Sequence, residues 1–204
     1  YSPLLGEFNV MNVLAALRET FGAEPTNIAL VGGGMINHAV RLDVKGERFF
    51  VKWKHDSPPE MFALEVRGLA LLRAADAFRI PAVITHGEAD GALPGFLVME
   101  WVPPEARVAQ RRYAQRFGWA LAALHRKTST SFGLDHDNFI GELPQRNTPT
   151  ASWAAFYRDQ RIAVQTEIAR ERGYLPAYRE RLLNDLMARI EDILSGSPNP
   201  PSLL

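Results

Sequence analysis

The chain has 204 residues, with 23 lysines and arginines balanced by 23 aspartates and glutamates, 47% hydrophobic residues and no cysteine. This composition is typical of a soluble globular protein; it excludes disulfide scaffolds and cysteine-based zinc sites, and the zero formal charge argues against a general nucleic-acid binder. Its apolar runs are far shorter than the roughly 20 residues of a membrane helix, and no secretory leader pattern opens the chain, so we expect a cytoplasmic protein with a small-molecule partner and no membrane contact.

The first half of the chain is predicted to begin with an amphipathic helix and three strands. Apolar residues recur at helical spacing in one stripe: Val10, Val13, Leu14, Leu17 and Phe21. Residues 27–31, 37–44 and 48–54 then show strand patterns, and Val40, Leu42 and Val44 alternate with other residues. The turn at Lys45-Gly46 predicts that the second and third strands pair antiparallel.

A second helix is predicted from about residue 58 to residue 75. Ser57, Pro58 and Glu60 have the spacing of a capping box, with serine as the N-cap and proline at the first helical position. Two further strands are predicted at residues 82–85 and 96–102, on either side of a turn-rich segment. Five strands with one inserted helix would make a small antiparallel lobe.

The second half of the chain is predicted to be mostly helical. Helices are expected at residues 108–126, 150–172 and 177–194, the last with an apolar face formed by Leu183, Leu186, Met187, Ile190, Ile193 and Leu194. Residues 127–149 between the first two form a long irregular stretch, which by its length is expected to be functional. The fold class predicted is α+β, with a five-stranded lobe followed by part of a helical one.

Three features of the first lobe point to nucleotide binding. Gly32-Gly-Gly34 lies between two strands, Lys52 lies on the next strand, and Glu65 lies midway along the predicted helix. A strand lysine paired with a helical glutamate can hold an ammonium group toward the α and β phosphates of a nucleotide. Each feature alone has an ordinary interpretation, as a hairpin glycine or a surface charge. Together they occur in the order found in a protein-kinase-like N-lobe.

The strand that ends near Met99 would supply the hinge of such a lobe. Backbone groups of residues 99–102 could hydrogen-bond an adenine, while Met99 and the apolar residues before it would contact the ring. The alternative is a buried strand with a polar end, and both interpretations can hold together.

A series of motifs resembles the fructosamine kinase (ketosamine 3-kinase) family, which is similar to the aminoglycoside and choline kinases. They include Gly32-Gly-Gly-Met-Ile-Asn-His-Ala-Val40, Phe50-Val-Lys-Trp53, Asp137-Asn-Phe-Ile-Gly141, Pro144-Gln-Arg-Asn147 and Trp153-Ala-Ala-Phe-Tyr-Arg158. The resemblance implies ATP- and Mg²⁺-dependent phosphorylation of a ketosamine, such as fructosamine, fructosyl-lysine or ribulosamine, free or on a glycated protein lysine. It implies catalytic roles for Lys52 and Glu65, and nucleotide contacts from Gly32, Gly33, Gly34, Asn37, Lys52, Met99, Glu100, Trp101 and Val102.

The acceptor substrate is expected to bind in the second half of the chain. Its candidate ligands are Asp137, Asn138, Gln145, Asn147, Trp153, Arg158 and Arg161. The amides and the carboxylate could hydrogen-bond sugar hydroxyls, and the aromatic and guanidinium groups could form a wall beside them. The alternatives are that the polar side chains fold the loop onto itself and that Trp153 packs in the core.

The resemblance also sets expectations about domains and activity. We expect an N-terminal extension or remnant over residues 1–10, a nucleotide-binding lobe over residues 11–102 and part of the helical lobe over residues 103–204. The family's catalytic loop and metal-binding aspartate would follow the segment Pro201-Ser-Leu-Leu204, so this chain alone is expected to be inactive and to hold no metal itself. The competing hypotheses are a non-catalytic, pseudokinase-like nucleotide-binding module and a relative of the aminoglycoside or choline kinases.

Overall fold

A computed structural model describes residues 3–32, 36–91, 93–104, 110–196 and 200–203 of the chain. It divides the chain into two compact units, Tyr1–Gln115 and Arg116–Leu204. Helix α3 (Gln110–His125) runs across the division between them. The lobe boundary that we predicted after residue 102 therefore stays a prediction.

The first unit is built on the five-stranded antiparallel sheet that the sequence predicts. Its strands are β1 (Thr26–Leu30), β2 (His38–Val44), β3 (Glu47–Lys54), β4 (Val83–Gly87) and β5 (Gly95–Glu100). They lie in the order β1-β2-β3-β5-β4. The register places Lys52 opposite Ala39 on β2 and opposite Leu97 on β5, so the lysine lies on a central strand.

Two helices cover opposite faces of this sheet. Helix α1 (Pro3–Phe21) buries Val13, Leu14 and Leu17 against the face that carries Val40 and Val51. Helix α2 (Met61–Ala75) packs on the other face, where Phe62 meets Leu97 and Met99. Because successive strand residues point to opposite faces, the alternation seen in β2 buries every second residue. Helix α1 also includes most of the residues that the sequence analysis set apart as an extension.

The predicted capping box of α2 is wrong. The helix begins at Met61, and its N-cap residue Glu60 has a left-handed backbone with φ 60° and no side-chain capping bond. The Glu60 N–H is donated to Glu88 Oε2 at 2.9 Å. Ser57 lies instead against the start of β5, where a Cβ added to Gly95 would come within 2.2 Å of its hydroxyl oxygen. Contact with the sheet therefore overrides the local capping preference.

The second unit contains most of α3, a hairpin and the helical elements that follow it. Strands β6 (Asn138–Ile140) and β7 (Leu143–Gln145) pair antiparallel within the stretch predicted to be irregular. Helix α4 (Trp153–Tyr157) is capped by Ser152, whose Oγ accepts the Ala155 N–H at 3.3 Å. A π-helical segment (Arg158–Ile162) joins α4 to α5 (Ala163–Glu171), so the helix predicted over residues 150–172 is interrupted.

Helix α6 (Ala177–Leu194) has the predicted bounds but not the predicted apolar face. Ile190 is buried, and Leu183, Met187 and Leu194 are half-buried on the same side. Leu186 and Ile193 are exposed, so they do not belong to that face. They lie in a second apolar stripe with Tyr178 and Leu182, which are also exposed. None of the helices in the described ranges is long and apolar enough to cross a bilayer.

Candidate functional site

The predicted lysine–glutamate pair is present on the α2 side of the sheet. Lys52 Nζ lies 2.6 Å and 2.5 Å from the two carboxylate oxygens of Glu65. The side chains are 16% and 33% exposed, so the pair is partly shielded from water. Phe62, one helical turn before Glu65, is fully buried and lies 5.7 Å from the ammonium nitrogen, measured to its ring centroid. The buried ring anchors α2 on the sheet and thereby holds the carboxylate on the lysine.

This geometry suits an anionic ligand. The two hydrogen bonds to Glu65 fix the ammonium group of Lys52 on one side. Because an ammonium group has three donors, one donor remains for a ligand. A charge held in a partly desolvated place interacts with a phosphate more strongly than one on a mobile surface side chain. The nucleotide-binding role of Lys52 and Glu65 is nevertheless a prediction that the pair itself does not test.

The residues predicted as the hinge lie at and beyond the end of β5. Met99 is buried against α2, and the Glu100 carboxylate accepts from Arg79 Nη2 at 2.6 Å and from the Ala82 N–H at 3.2 Å. These bonds hold the pKa of Glu100 below its ordinary value, and the bond from Arg79 has the larger effect. The Trp101 N–H is donated to the Arg48 carbonyl at 3.2 Å.

Val102 is the last of the predicted hinge residues. It is partly exposed. Within the described ranges its N–H has no hydrogen-bond acceptor, which is compatible with an adenine contact.

The glycine loop is only partly described. Gly33 and Gly34 lie outside the described residues. A Cβ added to Gly32 would meet no atom of the described residues within 4 Å. Asn37, at the other end of the loop, has a buried Oδ1 that no described residue hydrogen-bonds. A buried acceptor without a donor is costly in a finished fold, which makes Asn37 a candidate ligand contact.

Sequence reasoning missed Arg41, which lies on the same sheet face as Lys52. It stands opposite Phe50 in the β2–β3 register, and its guanidinium carbon lies 5.9 Å from the centroid of the Trp101 ring. Its Nε is buried and has no partner among the described residues. The alternation along β2 could have revealed it, because Arg41 is two residues from Ala39, the partner of Lys52.

In the second unit, the predicted acceptor residues form a hydrogen-bonded network. Asn147 Nδ2 donates to the His136 carbonyl at 3.1 Å and to Asn138 Oδ1 at 2.9 Å, and Asn147 Oδ1 accepts from Arg161 Nη2 at 2.7 Å. Gln145 Nε2 donates to Asn138 Oδ1 at 3.1 Å. The contacts are those of the alternative that we left open, a loop folded onto itself.

The backbone joins this network as well. Asp137 Oδ1 accepts the backbone N–H of Asn147 at 2.8 Å, and the Asn147 side chain is 1% exposed. Arg161 is stacked over Phe156 at 4.6 Å and also donates to the Arg146 carbonyl. Burial lowers the pKa of Arg161, against the opposing charge of Asp137. Asn147 and Arg161 thus fix the loop on the π-helical segment.

Trp153 and Arg158 have different surroundings. The Trp153 ring packs 5.5 Å from Phe132, 5.9 Å from Phe156 and 5.4 Å from Tyr157, measured between centroids. This aromatic cluster matches the core-packing alternative. Arg158 Nε lies 2.8 Å from Asp159, and its Nη1 lies 3.2 Å from Glu191. Both carboxylates raise the pKa of Arg158, and Asp159 raises it more than Glu191 does.

Comparison with known proteins gives one consistent family. A probable ketoamine kinase of Synechocystis is 37% identical over 70% of this chain and 48% of its own length. The chloroplastic protein-ribulosamine 3-kinase of Arabidopsis thaliana is 34% identical over 76% of this chain and 47% of its own length. The chain therefore spans about half the length of these curated relatives.

Solved structures agree with the sequence relatives. A crystal structure assigned provisionally as a fructosamine-3-kinase, from Thermobifida fusca, superposes with a TM-score of 0.78 and 33% identity over 94% of this chain and 65% of that one. An aminoglycoside phosphotransferase superposes with a TM-score of 0.58 at 16% identity, over 90% of this chain and 61% of that one, which shows the shared protein-kinase-like fold alone. The family model for fructosamine kinases matches residues 10–204. The chain belongs to the fructosamine kinase family, as its motifs predicted.

Proposed function

We propose that the protein is an ATP-dependent kinase that phosphorylates ketosamines, and that this chain carries its nucleotide-binding lobe. Family membership and the names of the relatives, which include ketoamine kinases and a protein-ribulosamine 3-kinase, support the reaction class. The acceptor would be a fructosamine, fructosyl-lysine or ribulosamine adduct, as a small molecule or on a glycated protein lysine.

One observation carries the nucleotide part of the proposal: the partly buried pair of Lys52 and Glu65. In the proposed complex Glu65 positions the ammonium group, and Lys52 contacts the α and β phosphates. Positioning and electrostatic stabilisation supply most of the catalysis of phosphoryl transfer, so a fixed cation at this point serves the reaction directly. The Val102 N–H and the backbone carbonyl of Glu100 are proposed to contact the adenine.

Magnesium is not assigned to any residue here. Across the described ranges, no three histidine, aspartate or glutamate side chains form a group that could hold a metal ion. Magnesium, when bound with ATP, would neutralise phosphate charge.

The acceptor site is proposed in the second unit, with contributions from Asp137, Asn138, Gln145, Trp153 and Arg158. What supports this placement is the family resemblance of the motifs that contain these residues. The hydrogen bonds described above favour a positioning role for Asn147 and Arg161, because their polar atoms already serve the loop.

Isothermal titration calorimetry with ATP tests the nucleotide part. Lys52→Met removes a charge-assisted contact that contributes about 1.5–3 kcal/mol, so ATP affinity should fall about tenfold or more while the fold persists. Lys45→Met is the matched control, because it removes the same charge in the hairpin turn before Glu47, which lies five residues or about 17 Å from Lys52 at roughly 3.3 Å per strand residue. Unchanged affinity in a folded Lys52→Met chain would refute the assigned role.

Transfer of labelled phosphate from ATP to fructosyl-lysine tests the acceptor part separately. The assay uses the protein at full length, with ribulosyl-lysine, choline and an aminoglycoside as competing acceptors. ATP binding without transfer to either sugar-amine would refute the acceptor and leave the nucleotide site standing.

A further inference from the structure

The second unit contains an open pocket of about 450 Å³ that the proposed kinase function does not use. One wall is formed by the π-helical segment and α5, and the other by α6 and the turn before it. Small-molecule sites in proteins commonly have volumes of roughly 300–1,000 Å³. The pocket is therefore large enough for a compact organic molecule.

The interior of the pocket is apolar, and its rim is aromatic. Ile162, Ala169, Leu175 and Leu183 supply aliphatic surface, and the hydroxyl of the buried Thr166 is satisfied because it donates to the Ile162 carbonyl at 2.7 Å. The rings of Tyr157 and Tyr174 stand at the rim, 41% and 71% exposed. Such a surface favours a flat or branched apolar group, which would gain by leaving water.

The charged groups of the pocket are all positive. Arg161 and Arg179 line it, and none of its lining residues carries a carboxylate. Arg161 is fixed by Asn147 and Phe156, so only part of its guanidinium remains for a ligand. Arg179 is exposed and makes no ion pair with any described residue, and its Nη2 makes a long hydrogen bond of 3.3 Å to Tyr178. A guanidinium fork of this kind matches a carboxylate.

The backbone gives a second, independent indication. Arg161 and Ile162 lie in the π-helical segment, Arg158–Ile162, within an otherwise regular helix. Single π-helical turns are rare and occur often at functional sites, because they distort the regular array of side chains. Here the distortion coincides with one wall of the pocket.

We propose that this pocket binds a small carboxylate with an aromatic or branched aliphatic body. The apolar body would lie on Ile162 and Leu183 between the two tyrosine rings, and the carboxylate would contact Arg179. The proposal does not depend on kinase activity, and it can fail while the nucleotide site stands.

Protein-detected NMR titration tests it, with 3-phenylpropionate as the probe and the neutral 3-phenylpropionamide as its comparator. The probe should shift the backbone amides of Thr166, Ala169 and Tyr174 at concentrations up to about 10 mM, and the amide comparator should bind more weakly. Arg179→Gln should weaken carboxylate binding about fivefold to tenfold and leave amide binding unchanged. Arg181→Gln, the same change two residues along α6, is the control and should have no effect.

A pocket-filling variant keeps the test decisive if Arg179→Gln perturbs the helix. Ala169→Phe should abolish binding of both probes and leave the thermal unfolding midpoint nearly unchanged, since it places a ring in existing space. The proposal is overturned if no amide near the pocket shifts, if the two probes bind equally, or if Arg181→Gln weakens the carboxylate as much as Arg179→Gln does.

Discussion

The buried amide of Asn147 should be one of the most sensitive positions of the second unit. Asn147→Ala removes three side-chain hydrogen bonds at a residue that is 1% exposed: two that it donates, to the His136 carbonyl and Asn138 Oδ1, and one that it accepts from Arg161. Because water cannot easily reach the site, the former partners cannot simply bond to solvent.

The loss can be estimated from what each partner keeps. Asn138 Oδ1 still accepts from Gln145, and Arg161 still donates to the carbonyls of Arg146 and Gln160. Only the His136 carbonyl loses the side-chain donor described for it. Leaving one buried group unpaired costs about 1–3 kcal/mol, and each other lost bond about 1 kcal/mol. The free energy of unfolding should therefore fall by about 3–5 kcal/mol.

Urea unfolding and amide hydrogen exchange measure the effect. The decrease should appear in the unfolding free energy of the second unit, with faster exchange of amides in residues 136–147. Asn184→Ala on the exposed side of α6 is the matched control, and it should change stability by less than about 0.5 kcal/mol.

A small loss of stability would instead support a substrate-binding role for Asn147. If Asn147→Ala lowers the unfolding free energy by less than about 1 kcal/mol, the network does not hold the loop and its hydrogen bonds are replaceable. The amide would then be available to a ligand, and our reasoning about its positioning role would be refuted.

Three further predictions follow from local geometry. Gly133→Ala should cost about 2 kcal/mol or more by urea unfolding, because φ is +116° and the new Cβ would meet the Asn147 carbonyl oxygen at 2.4 Å; Gly173→Ala, in open space, should cost about 1 kcal/mol. Hydrogen bonds from Asn27, which has the larger effect, and from Arg48 hold the pKa of Asp43 below its ordinary value. The stability that the Asp43 carboxylate adds is therefore present above its unfolded-state pKa and is lost as pH falls through its folded-state pKa. Asn27→Gly should raise the pKa of Asp43 in an NMR titration. Ser152→Ala should lower stability by about 1 kcal/mol, because Ser152 caps α4. Ser57→Ala should not lower it, because the Ser57 hydroxyl is buried without a described partner. Equal losses of stability for the two variants in thermal unfolding would indicate that Ser57 caps α2 after all.

The first unit was predictable because its signals are long and independent. Alternating residues in β2 and β3 specify which face is buried, since a shift of one residue would expose the whole apolar set. The contact between Lys52 and Glu65 follows once α2 packs on the sheet face that carries Lys52. The exact start of α2 was not predictable, because the contact of Ser57 with Gly95 joins residues 38 positions apart and competes with a purely local cap.

The second unit shows where local patterns fail. Strands β6 and β7 have three residues each, too few for an alternation to be recognised. A π-helical turn keeps the composition of an α-helix, so nothing in residues 158–162 distinguishes it. The apolar residues of α6 occupy two stripes, and hydrophobicity alone cannot separate the buried Ile190 from the exposed Ile193.

The π-helical segment makes the length of its helix as important as its side chains. Hydrogen bonds in Arg158–Ile162 span five residues instead of four, so this segment holds about one residue more than an α-helix that turns through the same angle. If the segment returned to α-helical bonding without losing a residue, everything that follows would rotate by up to about 100°, and Thr166 would leave the interior. Deleting one residue at the same time would cancel that rotation, so a family member with a single-residue gap at this point should have an unbroken α-helix that presents the same surface to α6.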